Sequence, residues 1–311
     1  MPKLHRIIAT VAEYEAVLKR PDVTADYKKQ LAQALVDKRL EVALRQVMKP
    51  LPSGHRQPVA RPEAAPTIVF FHVDVGTSHP FLRTRAEEKI DYAGALRASI
   101  AAAAKSNPES KIVVLTDATT AIPETVATIE RLDVDRTRPT HGRLKGACEL
   151  AKRVETPLVF LDTDVWLNQD ARALVREDFD IGLTHRAPSH FTLMPINAGV
   201  MVATSPKAAE GFFGRCLALY AHISNLPAAL QHYSQDQLNW YSDQLALAAF
   251  VDWTVPPECK QTRVIDGLAV RFLPNETYNY TVADTDTPAS VAGKWALHFK
   301  GLRKQLMPKF A

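Results

Sequence analysis

Apolar positions along the first 50 residues recur at a helical spacing. Over residues 26–48 they fall at Leu31, Leu35, Leu40, Leu44 and Val47. These intervals are close to the 3.6 residues of a helical turn. Thr24 is a suitable N-cap and Pro50 a suitable stop for this helix. A weaker pattern over residues 5–19 predicts a second helix, so residues 1–50 are expected to form a helical N-terminal segment.

From Thr67 onward the pattern changes to short apolar runs separated by helical stretches. The runs are TIVFFHVDV, KIVVLTD and PLVFLDTDVWL, and the clearest helical stretches are YAGALRASIAAAAKS and GRLKGACELAKRV. A further helix is expected near residues 124–131. Buried runs alternating with helices are typical of an α/β domain whose central sheet is mostly parallel and flanked by helices. The prediction is such a domain over residues 67–311, preceded by a Pro-rich linker over residues 51–66.

Three predicted strands end in acidic residues. Asp74 follows the first strand, Asp117 ends the second, and Asp162 and Asp164 follow the third. Ligands of open α/β sheets bind beyond the carboxyl ends of the strands, so these acids are expected at one edge of the sheet. Asp74 and Asp117 also have a simpler interpretation as turn residues at strand ends.

The Asp162-Thr163-Asp164 sequence is the strongest local signal for chemistry. Residues two apart in an extended chain point to the same side, so both carboxylates can face one ion. Adjacent carboxylates repel each other unless a cation neutralises them, and hard divalent cations prefer oxygen ligands. Such a cation would bridge the two phosphates of a nucleotide sugar. A solvated turn is the competing interpretation of so short a motif. The similar sequence Asp284-Thr285-Asp286 follows no apolar run and is predicted to be a loop.

A second candidate for chemistry lies near the C-terminus, in the pattern His298-x-x-Gly301-x-x-Lys304. The histidine offers a metal ligand, the glycine permits close approach of the backbone to a phosphate, and the lysine supplies a charge for that phosphate. Mixed carboxylate and imidazole ligands favour Mn²⁺ over Ca²⁺. A purely structural role for His298 is the alternative.

Five sequence features, in the same order, resemble those of GT-A-fold glycosyltransferases. The closest resemblance is to glycosyltransferase family 8, which includes glycogenin and bacterial lipopolysaccharide sugar transferases. The features are VFLDTDVWL, INAGVMV at 196–202, SQDQLNW at 234–240, LPNETYNY at 273–280 and HFKGLRK at 298–304. They span roughly residues 67–310 and leave the N-terminal segment unmatched. The resemblance implies a GT-A-type, Rossmann-like domain.

The resemblance also implies roles for individual residues. Asp162, Asp164 and His298 correspond to the family's ligands for Mn²⁺ or Mg²⁺. Gln235 and Asp236 correspond to catalytic positions near the transferred sugar, where one of them would stabilise positive charge at the anomeric carbon. The residues that correspond to donor-binding positions are Asp74, Arg143, Asn197, Ala198, Gly199, Gly301 and Lys304.

Two departures from the family pattern affect these assignments. Ser234 stands where the family has an acid, and Gln305-Leu306 stands where a Pro-Trp pair usually follows the closing lysine. Several assigned residues also have purely structural interpretations as a tight strand entry, a helix start or a surface ion pair. The tight strand entry applies to Asn197-Ala198-Gly199, the helix start to Gln235-Asp236, and the surface ion pair to Arg143.

Composition and charge narrow the class of protein. The chain has 311 residues, of which 46% are hydrophobic and 23% charged, as in ordinary globular domains. Residues 1–66 hold 12 Lys and Arg against 7 Asp and Glu. This basic excess suits peripheral contact with an anionic membrane surface, but no dense basic run is interleaved with aromatics, so nucleic-acid binding is not expected. No apolar run approaches the roughly 20 residues of a transmembrane helix.

The cysteines and the N-terminus bear on location and assembly. Cys148, Cys216 and Cys259 are too far apart for a zinc site or a disulfide framework, and they suit a reducing compartment. The N-terminus lacks the pattern of a signal peptide, so the cytoplasm is the expected location. The N-terminal helices are expected to pack on the main domain, bind a partner or form an oligomer.

The function expected from the sequence is that of a metal-dependent glycosyltransferase, specifically a hexosyltransferase. By resemblance its donor is a UDP-sugar, used with retention of anomeric configuration. The sequence leaves the acceptor open among a glycan, a lipid-linked molecule and a protein, because acceptor pockets lie on variable loops that follow no general sequence pattern. Two alternatives stay open. One is a catalytically silent GT-A module that binds a nucleotide sugar or acts as a scaffold. The other is a sugar nucleotidyltransferase, although the Gly-rich phosphate loop of that class is absent after the first strand.

Overall fold

The computed structural model describes residues 11–56, 63–76, 90–186, 193–254 and 261–310. A short 3₁₀ helix, Gly301–Lys309, lies at the C-terminal end of the described chain. The α-helices are α1 Val11–Leu18, α2 Ala25–Val47, α3 Tyr92–Ser106, α4 Pro139–Ala151, α5 Arg172–Val175, α6 Pro206–Ile223, α7 Pro227–Leu230, α8 Gln235–Phe250 and α9 Asn275–Tyr278. The strands are β1 Thr67–Phe71, β2 Ile112–Asp117, β3 Thr128–Leu132, β4 Leu158–Leu161, β5 Val165–Leu167, β6 Ile181–His185, β7 Ile196–Ala203, β8 Thr262–Ile265, β9 Leu268–Pro274, β10 Tyr280–Thr281 and β11 Ala296–His298.

The strands form a large sheet of order β3-β2-β1-β4-β7-β6-β9-β8 and a small sheet of order β10-β11-β5. In the large sheet β1 is parallel to both β2 and β4, and β2 is parallel to β3. β7 is antiparallel to β4 and β6, β9 is parallel to β6, and β8 is antiparallel to β9. The carboxyl ends of β1, β2 and β4 therefore share one edge.

Helices cover both faces of the large sheet because side chains along a strand alternate between the two faces. On β1, Val69 belongs to a core that includes Leu144 of α4 and Phe212 of α6. Its neighbour Ile68 belongs to the opposite core, together with Leu96 of α3. The predicted α/β class, with a mostly parallel central sheet between helices, is confirmed.

The helix expected near residues 124–131 is wrong, because Thr128–Leu132 form strand β3. Ile129 lies opposite Val114 in a parallel pairing with β2. Val126, Thr128 and Ile129 are β-branched, and such side chains lose rotamer freedom in a helix but fit a pleated strand. The open edge of β2 supplies the backbone partners that this strand needs.

The N-terminal segment is a pair of helices packed against the main domain. The Thr24 hydroxyl accepts a hydrogen bond from the Tyr27 backbone and caps α2, as expected. The C-terminal half of α2 contributes Leu40 and Leu44 to a core that it shares with Trp253 and other residues near α7 and α8. The N-terminal half of α2 packs instead against α1. Residues 5–10 of the weaker predicted helix lie outside the described residues.

Parts of the predicted linker also contact the main domain. The Arg56 guanidinium donates to both carboxylate oxygens of Asp180, at 3.1 and 2.9 Å, while residues 57–62 lie outside the described part. Cys148 and Cys216 are buried and free, and Cys259 lies outside the described residues. Among the described helices, none has both the length and the apolar character needed to cross a membrane.

Candidate active site

A cavity of about 670 Å³ opens beyond the carboxyl ends of β1 and β4. Ligand sites of open α/β sheets occur at this edge. The wall combines the segment after β1 with residues of α3, α4 and α8 and the turn after β4. Ionisable side chains that line it include Asp74, Arg143, Asp162, Asp164, Asp243 and Lys304.

A tight turn between β4 and β5 holds the two aspartates of the Asp-Thr-Asp motif. The Asp162 backbone N–H donates to the Gly199 carbonyl on β7, and the Val165 N–H donates back to the Asp162 carbonyl, both at 3.0 Å. β5 pairs with β11, so that Val165 lies opposite His298. The two pairings place the turn against the end of β11.

His298 completes a group that can hold a metal ion. Its Nε2 lies 3.3 Å from Asp164 Oδ1 and 3.7 Å from Asp162 Oδ2. One ligand atom from each of the three residues lies within 4.8 Å of the other two. Two carboxylates and an imidazole form a mixed oxygen and nitrogen donor set, which suits Mn²⁺ and also accepts Mg²⁺. The residues present therefore fit a divalent cation.

Two further cations lie against the aspartates. Arg143 Nη1 is 2.8 Å from Asp162 Oδ1, and Lys304 Nζ is 2.6 Å from Asp164 Oδ2. Burial by itself raises the pKa of Asp164, but His298 and Lys304 outweigh it and hold that pKa well below the usual range. The local charge is thus arranged to keep Asp164 ionised, as a metal ligand requires.

Asp74 follows β1, and Asp117 ends the neighbouring strand β2. Asp74 lines the cavity, and its backbone N–H donates to the Thr120 hydroxyl at 2.9 Å. Asp117 accepts hydrogen bonds from the Thr119 and Thr120 backbones and pairs with Arg136. The turn interpretation of Asp117 therefore describes its contacts. The same turn holds Thr120, whose hydroxyl binds the Asp74 backbone.

Asn197, Ala198 and Gly199 lie on β7 directly beneath the metal group. Their backbone carbonyls accept from the Thr184 hydroxyl, from Arg143 and from the Asp162 N–H, respectively. None of the three is among the described residues that line the cavity. The structure thus shows them supporting the site, and contact with a donor sugar stays a prediction.

Gly301 begins the 3₁₀ helix that carries Lys304. Its φ of 58° lies in the left-handed region, where a residue without Cβ is favoured. This turn follows β11 and returns the chain towards the cavity, where Lys304 also lies over the Tyr92 ring. Gly301 does not itself line the cavity in the described part of the chain.

Gln235 and Asp236, which are predicted to lie beside the transferred sugar, begin helix α8. Both are exposed in the first turn of α8, after the Ser234 N-cap, and neither is among the described residues that line the cavity. Their contacts fit the helix-start interpretation, and a place beside the transferred sugar stays a prediction. Asp243 and Gln244 line the cavity in their place. Asp243 lies seven residues after Asp236, about 10 Å along the helix.

Asp243 is a buried carboxylate that the sequence analysis missed. It is 4% exposed, and its Oδ2 lies 3.9 Å from Arg143 Nη1. Burial raises the pKa of Asp243 to about 6, although Arg143 opposes the shift. The signal available in the sequence was the polar pattern Asn239, Ser242 and Asp243 on a buried helix, since buried polar groups need a reason to be there.

We expect the Asp243→Asn variant to be more stable than the wild type at pH 8 and equally stable near pH 4. A folded-state pKa above the unfolded value means that the folded chain binds the proton more tightly, so stability is lost as pH rises through about 6. A shift of two units corresponds to a difference of at most about 3 kcal/mol. Urea unfolding of both proteins at the two pH values measures it. A difference that does not change with pH would contradict the assignment.

Comparison with known proteins gives distant structural likeness only. No protein-family model and no curated protein matches this chain. Similar solved structures include the galactosyltransferase LgtC in complex with donor and acceptor sugar analogs, at 14% identity over 76% of this chain and 87% of that chain, with a TM-score of 0.45. An active-site mutant of LgtC gives 14% identity and a TM-score of 0.43 over the same shares. The apo form of the glycosyltransferase GlyE of Streptococcus pneumoniae TIGR4 gives 15% identity over 57% of this chain and 42% of that chain, with a TM-score of 0.36. Likeness at this distance assigns no substrate and no reaction to the present chain.

Proposed function

We propose that this chain is a metal-dependent glycosyltransferase that transfers a sugar from a nucleotide diphosphate sugar to an acceptor. The observation that carries the proposal is the group of Asp162, Asp164 and His298, with Arg143 and Lys304 bound to its carboxylates at the cavity wall. The three residues offer ligands for one divalent cation. Arg143 and Lys304 offer two positive charges for a diphosphate. A bound Mn²⁺ or Mg²⁺ supplies Lewis-acid stabilisation of the diphosphate oxygens.

The protein's own cations would offset the rest of the diphosphate charge. Lys304 is a compact charge that lines the cavity, and Arg143 offers a planar guanidinium that is only 14% exposed. Charges fixed before the reaction stabilise a leaving diphosphate without reorganisation. The turn at Gly301 would let the 3₁₀ helix close over the donor and exclude water. Asp74, which lines the same cavity, would contact the nucleoside.

Asp243 and Gln244 are the residues that we propose beside the transferred sugar, in place of Gln235 and Asp236. Asp243 lines the cavity, and its Oδ2 lies 3.9 Å from Arg143 Nη1. An ionised carboxylate there would stabilise positive charge that develops at the anomeric carbon. The Asp243→Asn variant should then be more stable and less active, which is a common trade-off at sites that hold a costly charge. A UDP-sugar donor and retention of configuration follow from the family resemblance alone.

The test is a donor screen with the purified full chain. Samples contain Mn²⁺ and one of a panel of nucleotide sugars, and released nucleoside diphosphate is measured with and without EDTA. We expect release from one donor and its loss in EDTA, because the diphosphate leaves only when its charge is stabilised. Release of pyrophosphate would instead identify a nucleotidyltransferase. No release from any donor, together with metal-dependent binding of UDP, would favour a silent binding module. No binding of UDP would overturn the proposal.

A further inference from the structure

A buried line of hydrogen bonds lies behind His298, on the side away from the aspartates. His298 Nδ1 lies 2.9 Å from Asn279 Oδ1, and Asn279 Nδ2 donates to the Thr184 hydroxyl at 3.1 Å. Thr184 and Asn279 are 0% exposed and His298 is 5% exposed. Thr184 lies in β6, Asn279 follows α9, and His298 ends β11. Three separate elements therefore meet in this line.

The direction of each bond follows from the fixed end at Thr184. Its single hydroxyl proton points at backbone carbonyls, since the oxygen lies 2.8 Å from the Asn197 carbonyl and 3.1 Å from that of Val200. The hydroxyl oxygen is then left to accept from an N–H. The amide nitrogen of Asn279 must accordingly face Thr184, and its carbonyl oxygen must face His298.

The orientation of Asn279 determines which nitrogen of His298 carries the proton. A carbonyl oxygen only accepts, so Nδ1 must be the donor. In a neutral imidazole, Nε2 then holds a free lone pair, and Nε2 is the nitrogen that faces Asp162 and Asp164. The opposite tautomer would place a proton between the ring and the carboxylates, where it would block coordination.

We propose that Asn279, oriented by Thr184, is a positioning residue that fixes the tautomer and the ring plane of His298 for metal binding. The inference rests on the metal site of the proposed function and adds two residues that act through His298 alone. Outer partners of this kind raise metal affinity by about 10- to 100-fold, because the ligand enters the complex already oriented.

The experiment measures Mn²⁺ affinity of purified full-length variants by the electron paramagnetic resonance signal of free Mn²⁺, with folding checked by circular dichroism. Asn279→Leu keeps the branching at Cγ but removes the acceptor, and we expect Mn²⁺ affinity to fall about 10- to 100-fold. Thr184→Val removes the group that orients the amide, and a fall in the same direction is expected. Asn279→Asp keeps an acceptor for Nδ1–H. We expect this variant to retain at least roughly a third of the wild-type affinity for Mn²⁺.

Asn107→Leu is the matched control. Asn107 is a buried amide that accepts from the Ala171 N–H and donates to the Gln169 carbonyl, away from the cavity. The Asn107→Leu variant should be less stable than the wild type and keep the wild-type affinity for Mn²⁺. Wild-type affinity in Asn279→Leu, or equal losses in Asn279→Leu and Asn107→Leu, would overturn the inference and leave the proposed metal site standing. A wild-type chain that binds no Mn²⁺ would overturn both.

Discussion

Replacement of Asp164 by Asn is expected to lower donor turnover at least about 100-fold, because a catalytic metal contributes several kcal/mol and each 1.4 kcal/mol is a factor of ten. Asp164 is 7% exposed and contacts both His298 Nε2 and Lys304 Nζ. Asparagine keeps the shape of the side chain and removes the charge that binds a cation. The measurement is the rate of nucleoside diphosphate release together with Mn²⁺ affinity.

The chain supplies a control for this substitution in its second Asp-Thr-Asp sequence. Asp284 lies in a turn with its side chain 79% exposed, outside the lining of the cavity in the described residues. Asp284→Asn makes the same chemical change in the same local sequence, and turnover should stay at the wild-type level. If Asp164→Asn kept both turnover and Mn²⁺ affinity, the assignment of the metal site would be wrong.

The acids of the site could be predicted from the sequence because they follow buried strands. Asp162 and Asp164 come directly after four apolar residues that form β4, and strand direction alone brings them to the ligand edge. His298 is more than 130 positions further along the chain. Its local pattern marks it as a candidate ligand, but only the family resemblance joins it to Asp162 and Asp164. The pairing of β11 with β5 is a long-range contact, and no local pattern in the sequence encodes it.

Two local patterns in the sequence each admit more than one structure. The segment Glu124–Arg131 is expected to be helical, yet the β-branched Thr128 and Ile129 and the open edge of β2 favour a strand. Likewise, SQDQLN resembles a catalytic motif and also contains a capping box, in which the Ser234 and Gln237 side chains bind each other's backbone N–H. The structure uses the helix-start option and places Asp243, two turns later, at the cavity.

The role that we propose for Asn279 and Thr184 could not be predicted from the sequence, because it depends on three elements that meet only in the fold. In the sequence, Thr184 is one more residue of a buried strand. Its hydroxyl matters because the Asn279 amide lies against it. Gly199 is similar: the sequence predicts a donor contact, and the structure adds that its missing side chain leaves room for His298 and Asn279. A Cβ at this position would lie 2.5 Å from His298 Cε1 and 3.1 Å from Asn279 Nδ2.

Gly199→Ala is therefore expected to displace the His298 ring and lower Mn²⁺ affinity at least about 10-fold, since both the ligand and its Asn279 partner must move. Overpacking of this buried position should also lower the free energy of unfolding by about 1–3 kcal/mol. Gly211→Ala is the control, because a Cβ there meets nothing within 4 Å. Gly211 lies inside α6, so alanine should raise stability by roughly 0.5–1 kcal/mol and leave Mn²⁺ affinity unchanged. Mn²⁺ titration and urea unfolding of the three proteins measure both effects. Wild-type affinity in Gly199→Ala would contradict the assignment of His298 as a metal ligand, because the methyl group forces its ring to move.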